Sequence, residues 1–111
     1  MKVLVVDDEM PARALLCALL QDLGGYQVCG EAANGREALQ LSEAEQPDVL
    51  LLDIRMPGMD GLEAARHLQL LEQPPAIIFT TAYNDYALQA FETHAVDYLL
   101  KPVRKERLED A

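Results

Sequence analysis

Short apolar runs of strand length alternate along the chain with segments in which leucine and alanine recur at helical spacing. Residues 3–6, 26–32, 49–52, 76–80 and 96–100 read as five strands, the second less apolar than the others. A first helix starts near Pro11, carries Leu15, Leu16, Leu19, Leu20 and Leu23, and stops at Gly24-Gly25. Asn34-Gly35 opens a second, with Ala38, Leu39 and Leu41 inside, which ends before Pro47. Asp60 and Gly61 open a third through Leu62, Ala65, Leu68 and Leu71, terminated by Pro74-Pro75. Asp85 can cap a fourth carrying Tyr86, Ala87, Ala90 and Phe91. A fifth helix around Leu108 is truncated at Ala111, so the chain is expected to be a piece of a longer protein.

Repeated strand–helix units with right-handed crossovers give a parallel sheet covered on both faces. A closed (β/α)₈ barrel needs roughly twice this length, so 111 residues predict one domain with an α/β fold, an open, doubly wound, five-stranded parallel sheet. Half the residues are apolar and 25% charged, which excludes a disordered segment. With 9 basic against 19 acidic residues the formal net charge is −10, a surface that repels nucleic acid and anionic membranes but suits a divalent cation. No apolar run approaches the ~20 residues of a membrane span, and the acidic Asp7-Asp8-Glu9 follows too soon for a signal peptide. A cytoplasmic location is therefore expected. Cys17 and Cys29 read as buried free thiols, with a disulfide the minor alternative.

Open α/β sheets keep functional groups at the C-terminal strand ends. Those positions hold Asp7 and Asp8 after the first strand, Asp53 after the third, Thr80 and Thr81 after the fourth and Lys101 after the fifth. Pro57, Gly58 and Gly61 make the segment behind Asp53 a loop. Three carboxylates within a few ångströms cannot all stay ionised without a compensating cation. Hard oxygen donors with no His or Cys among them suit Mg²⁺ or Mn²⁺. Such a cation neutralises a phosphoryl group, Lys101 and a threonine hydroxyl can hold its other oxygens, and one carboxylate can become an acyl phosphate. On the residues alone, aspartates that merely cap turns remain the competing account.

Four motifs taken together, Val-Val-Asp-Asp-Glu at 5–9, Leu-Leu-Asp-Ile-Arg-Met-Pro-Gly-Met-Asp-Gly at 51–61, Thr-Thr-Ala at 80–82 and Asp-Tyr-Leu-Leu-Lys-Pro at 97–102, resemble the receiver domain of bacterial two-component response regulators. The resemblance implies a flavodoxin- or CheY-like sheet of order 2-1-3-4-5 and one receiver domain over residues 1–111. It implies that Asp53 is the phosphoacceptor, that Asp8 binds the metal directly and Asp7 through water, and that Arg55 offers its backbone carbonyl. Thr81, directly before the small Ala82, and Lys101 would contact phosphoryl oxygens, Tyr98 would be the aromatic switch residue, and the Lys101–Pro102 bond would be cis. The implied partner is a sensor histidine kinase, with a homodimer possible on phosphorylation. Turnover of an external substrate is not implied; the domain would catalyse only its own phosphorylation and slow dephosphorylation. Residues 82–102 are further similar to receivers of the LytTR class, including regulators of alginate synthesis, which implies a DNA-binding output domain after Ala111.

Arg55 departs from the small or polar residue most receivers carry there; it either shields an acyl phosphate or is a solvated loop arginine. His67 and His94 lie away from the catalytic edge and read as surface or boundary residues, Asp60 and Asp85 as helix caps, and Tyr83 and Tyr86 as packing or partner contacts. Two alternatives stay open: a pseudo-receiver that binds partners without phosphorylation, and a Mg²⁺-dependent aspartyl phosphatase, which wants an acid where this chain has Arg55.

Overall fold

The computed structural model describes residues 1–82 and 95–110, and the strand-length apolar runs all enter one sheet. In chain order the elements are β1 (Lys2–Val6), α1 (Met10–Leu23), β2 (Gln27–Ala32), α2 (Gly35–Glu45), β3 (Val49–Leu52), α3 (Gly61–Leu68), β4 (Ala76–Thr81), β5 (Asp97–Leu100) and α4 (Lys105–Asp110), the fifth helix of the sequence reading. The strands run parallel in the order β2-β1-β3-β4-β5, the doubly wound order expected. The expected helix at Asp85, with Tyr83, Tyr86, Ala87, Ala90, Phe91 and His94, lies outside the described residues. No helix among the described residues is long and apolar enough to cross a membrane.

Alternation along the strands divides the core in two. Leu4, Val6, Leu50, Leu52, Ile77 and Phe79 face one side, where α2 and α3 cover them with Ala38, Leu62, Ala64, Ala65 and Leu68. Val3, Val5, Leu51, Ile78 and Leu99 face the other, covered by Leu16 and Leu20 of α1 and Leu108 of α4. β1, β3 and β4 are buried on both faces, which is why they read as continuous apolar runs. β2 is an edge strand with one fully buried residue, hence its mixed sequence.

The punctuation acts as expected at most boundaries. Pro11 sits in the first turn of α1, and Gly24 and Gly25 take φ of +74° and +79° to end it. Asn34 and Asp60 accept hydrogen bonds from the N–H groups of Glu37 and Glu63, both at 2.9 Å, capping α2 and α3. His67 is exposed on α3. α3 ends at Leu68 rather than Leu71: Leu70 and Leu71 donate to His67 and Leu68, three residues back, tightening the last turn and leaving Leu70 82% exposed. The cysteines are free but only partly buried, and burial raises both thiols above their ordinary range. They pack on opposite faces of the sheet, Cys29 with the first cluster and Cys17 with the second.

The loop from Asp53 to Asp60 is held rather than hanging. Ile54 and Met56 bury their side chains in the first cluster, and Gly58 turns the chain at φ +74°. Gly61 donates to Ile54 O at 2.7 Å, and a Cβ on Gly61 would lie 2.0 Å from the carbonyl oxygen of Asp53. Only glycine allows this approach. Gly61→Ala is therefore expected to lower the urea unfolding midpoint by the equivalent of roughly 1–3 kcal/mol, the range for overpacking a filled site, with an unchanged m-value; a midpoint equal to wild type would show that the loop yields freely.

Candidate functional site

The site is built from the first residues beyond the strands, and the sheet ladder holds them by their backbones. Asp7 N–H donates to Ala32 O at 3.0 Å, Asp53 N–H to Val6 O at 3.0 Å, and Lys101 N–H to Thr81 O at 2.7 Å. Three strands, β1, β3 and β5, thus deliver these side chains to one edge, and β4 ends beside them at Thr81.

Asp7, Asp8 and Asp53 each place a carboxylate oxygen within 4.8 Å of the others; Asp7 and Asp53 are buried and Asp8 is exposed. The Lys101 ammonium lies 2.7 Å from Asp7 Oδ2 and 3.5 Å from Asp53 Oδ2. The other Asp7 oxygen accepts from Glu9 N–H at 2.9 Å, and Asp53 Oδ1 accepts from Ile54 N–H at 2.8 Å. Burial, reinforced by the neighbouring Asp7 charge, raises Asp53 to about 6 even though Lys101 and the Ile54 N–H oppose the rise. Burial works against the Lys101 ammonium, but its hydrogen bonds to Asp7 and Asp53 and their charges outweigh it and hold the group above the usual lysine range. One ammonium among three carboxylates leaves negative charge uncompensated. That imbalance and the all-oxygen donor set fit a small hard divalent cation.

Thr80 and Thr81 are both fully buried at the end of β4. Thr80 Oγ1 has no hydrogen-bond partner among the described residues, and β4 alternation puts it on the face of Ile78. Ala82 is exposed and leaves the rim open beside Thr81. Tyr98, paired in register with Phe79, is half-buried with its ring centroid 6.5 Å from that of Phe79. Arg55 is exposed and, with Asp8, Met56, Pro57, Gly58 and Asp60, lines a cleft of about 400 Å³ beside the acid cluster. The Lys101–Pro102 bond is cis, as the resemblance implied. Asp60, by contrast, spends a carboxylate oxygen on capping α3.

Sequence reasoning missed Arg13. Its Nη1 donates to the Asp7 carbonyl oxygen at 2.6 Å and its Nε to Glu31 Oε1 on β2 at 3.2 Å, with the side chain only 16% exposed. The one signal available was a cation in the first turn of α1, five residues after Asp8, a placement that solvated arginines share.

A family model described as the response regulator receiver domain matches residues 3–111. The positive alginate biosynthesis regulatory protein of Pseudomonas aeruginosa is 54% identical over 112 residues, covering 100% of this chain and 45% of that protein. The transcriptional regulatory protein LytR of Staphylococcus aureus is 43% identical over 111 residues, again 100% of this chain and 45% of its own length. The chain thus spans less than half the length of these relatives. Among solved structures, the response regulatory domain of protein mrkE from Klebsiella pneumoniae superposes with a TM-score of 0.92 at 33% identity, covering 99% of this chain and 90% of that one. An acid cluster with one lysine at the mouth of a 2-1-3-4-5 sheet, and a match that runs nearly end to end, carry one conclusion: this chain belongs to the response regulator receiver domain family.

Proposed function

We propose that the chain is a phosphoacceptor switch in which Asp53 takes a phosphoryl group from a phosphohistidine of a sensor kinase. The observation that carries this reading is the gathering of Asp7, Asp8 and Asp53 within 4.8 Å around a lysine that reaches two of them. Asp8 would ligate Mg²⁺ (or Mn²⁺) directly, Asp7 through water, and Asp53 and the Arg55 backbone carbonyl would complete the protein ligands. When bound, the cation supplies charge neutralisation for the carboxylates and the phosphoryl oxygens.

The chain's own residues account for the transfer. A value near 6 leaves Asp53 mostly ionised at neutral pH, so its carboxylate can attack. The new Asp53 O–P bond forms as the P–N bond to the donor imidazole breaks, and the imidazole leaves with the electron pair. Ile54 N–H holds Asp53 Oδ1, leaving Oδ2, the oxygen facing Lys101, as the nucleophile. Lys101 and the Thr81 hydroxyl would then hold phosphoryl oxygens, and the engagement of Thr81 would draw Tyr98 inward, biasing a pre-existing equilibrium. Turnover of an external substrate has no support in the site, since an aspartyl phosphatase needs an acid at the position of Arg55. The printed names of the relatives, both regulators, and their greater length support an attached output domain that regulates transcription; a DNA-binding fold of the LytTR kind, a cytoplasmic setting and a homodimer formed on phosphorylation belong to the same proposal.

Incubated with a small phosphodonor and Mg²⁺, the protein is expected to gain one phosphoryl adduct by intact mass, and Asp53→Ala to gain none. No adduct on wild type would favour a pseudo-receiver, and many turnovers per protein would favour a phosphatase. Replacing Arg55 by Ala is expected to change the first-order decay of the labelled protein several-fold; identical decay would assign that side chain to solvent.

The raised Asp53 also predicts a pH dependence without metal. The folded state binds this proton more tightly than the unfolded chain, whose carboxylate titrates near 3.8. Between those values stability therefore falls as pH rises, and the full penalty stands above about pH 6. Asp53→Asn removes it, so the variant should exceed wild type by roughly 3 kcal/mol at neutral pH, with the gain vanishing toward pH 4. A gain independent of pH, measured by urea unfolding, would contradict the assignment.

A further inference from the structure

We infer that Arg13 is a positioning residue for the cation pocket, acting through the Asp7–Asp8 peptide plane; the inference rests on the reading of the acid cluster as a metal site. Among the described residues, none hydrogen-bonds the carboxylate of Asp8, which is exposed. The direction of its side chain is therefore set by the backbone that carries it. That backbone is the β1–α1 turn, and its one carbonyl between the two acids, Asp7 O, accepts from Arg13 Nη1 at 2.6 Å. Pinning this oxygen fixes the rotation of the peptide whose far end is the Asp8 Cα, and with it the line along which the Asp8 side chain leaves.

Arg13 is itself held at both ends. Its backbone N–H donates to Glu9 O at 3.2 Å in the first turn of α1, and Nε donates to Glu31 on β2 at 3.2 Å. The guanidinium thus bridges a helix and the edge strand across the acid turn, a task that needs donors pointing two ways from one rigid plane. The Glu31 carboxylate serves a second purpose. It neutralises Arg13, so a cation entering beside Asp8 does not meet a bare positive charge. A lysine could reach either the carbonyl or the glutamate, but its single ammonium has no fixed fork with which to hold both in this geometry.

The test is Mg²⁺ affinity by titration calorimetry with MgCl₂, read beside thermal unfolding without metal. Arg13→Ala is expected to raise the Kd about tenfold, the lower end for loss of a group that orients a metal ligand. Arg13→Lys should recover part of that loss, and Glu31→Gln should weaken binding less than Arg13→Ala because the carbonyl contact survives. A purely structural arginine predicts a lower Tm with a Kd within twofold of wild type, and that result overturns the inference. Should Arg13→Ala fail to fold, Arg13→Lys and Arg13→Gln decide it, since wild-type Kd in both equally overturns it. Wild-type protein that binds no Mg²⁺ would defeat the metal-site reading itself, and the inference with it, whereas normal binding by wild type and Arg13→Ala alike defeats the inference alone.

Discussion

The contact between Lys101 Nζ and Asp7 Oδ2, 2.7 Å long and joining residues 94 apart in sequence, is the interaction on which the site depends. The sheet brings Asp7, Asp8 and Asp53 to one edge, and two of those acids are buried. Without a cation among them the ionised cluster would oppose the packing that assembles it. Lys101 supplies a single charge, enough to join the outer strand β5 to the centre of the sheet yet too little to satisfy three carboxylates. Burial, with the Asp7 charge adding to it, raises Asp53 to about 6, and the residual imbalance leaves the pocket receptive to a divalent ion. Stability and chemistry are opposed at this edge, and the opposition gives the site its function.

Such a cluster holds its shape only if its backbone cannot relax away from the repulsion. The ladder supplies that resistance by running one residue past β1, β3 and β5, so that Asp7, Asp53 and Lys101 are each tied to a neighbouring strand. Behind Asp53, the loop is pressed between glycines. A Cβ on Gly61 would strike the Asp53 carbonyl, and one on Gly35, at the start of α2, would come within 2.7 Å of Met59 O. Helices α2 and α3 therefore meet the loop at contact distance, and displacement of Asp53 has to move both. On the far side of the sheet, Arg107 grips Asp97 with two hydrogen bonds of 3.0 and 2.8 Å, fastening α4 to the start of β5 and holding the Asp97 carboxyl below its ordinary range. Tyr98, next to that anchor, keeps its ring at the margin of the core against Phe79.

Residues whose role comes from contrast with their neighbours were legible in the chain. Asp53 is conspicuous because a charge ends the wholly apolar β3, and Asp7 and Asp8 because they end β1 in the same way. Pro11, Gly24, Asn34 and Asp60 announce helix boundaries through local chemistry that needs no tertiary partner. The end of α3 is not legible in the same way, because Leu71 continues the helical period, while the chain satisfies it by a tighter turn that exposes Leu70 and still packs Leu71 against the core. The shift in register between Val3 and Leu4, where β2 spends an extra residue against β1, falls at Gly30, and an isolated glycine inside a strand pattern is the signal that could have announced it.

The order of apolar runs and their punctuation determined the βα repeat, the parallel sheet and which side chains stand at its C-terminal edge, because strand burial and turn chemistry act over a few residues. Distances at that edge were decided only by the tertiary structure. The choice of Asp7 over Asp53 as the nearer partner of Lys101, the burial that lifts Asp53, and the reach of Arg13 to the Asp7 carbonyl all join residues from different strands and helices. Hydrogen bonds and charges in a buried site change steeply over an ångström, and separation along the chain carries no such measure; it had to come from the packing of helices on the sheet.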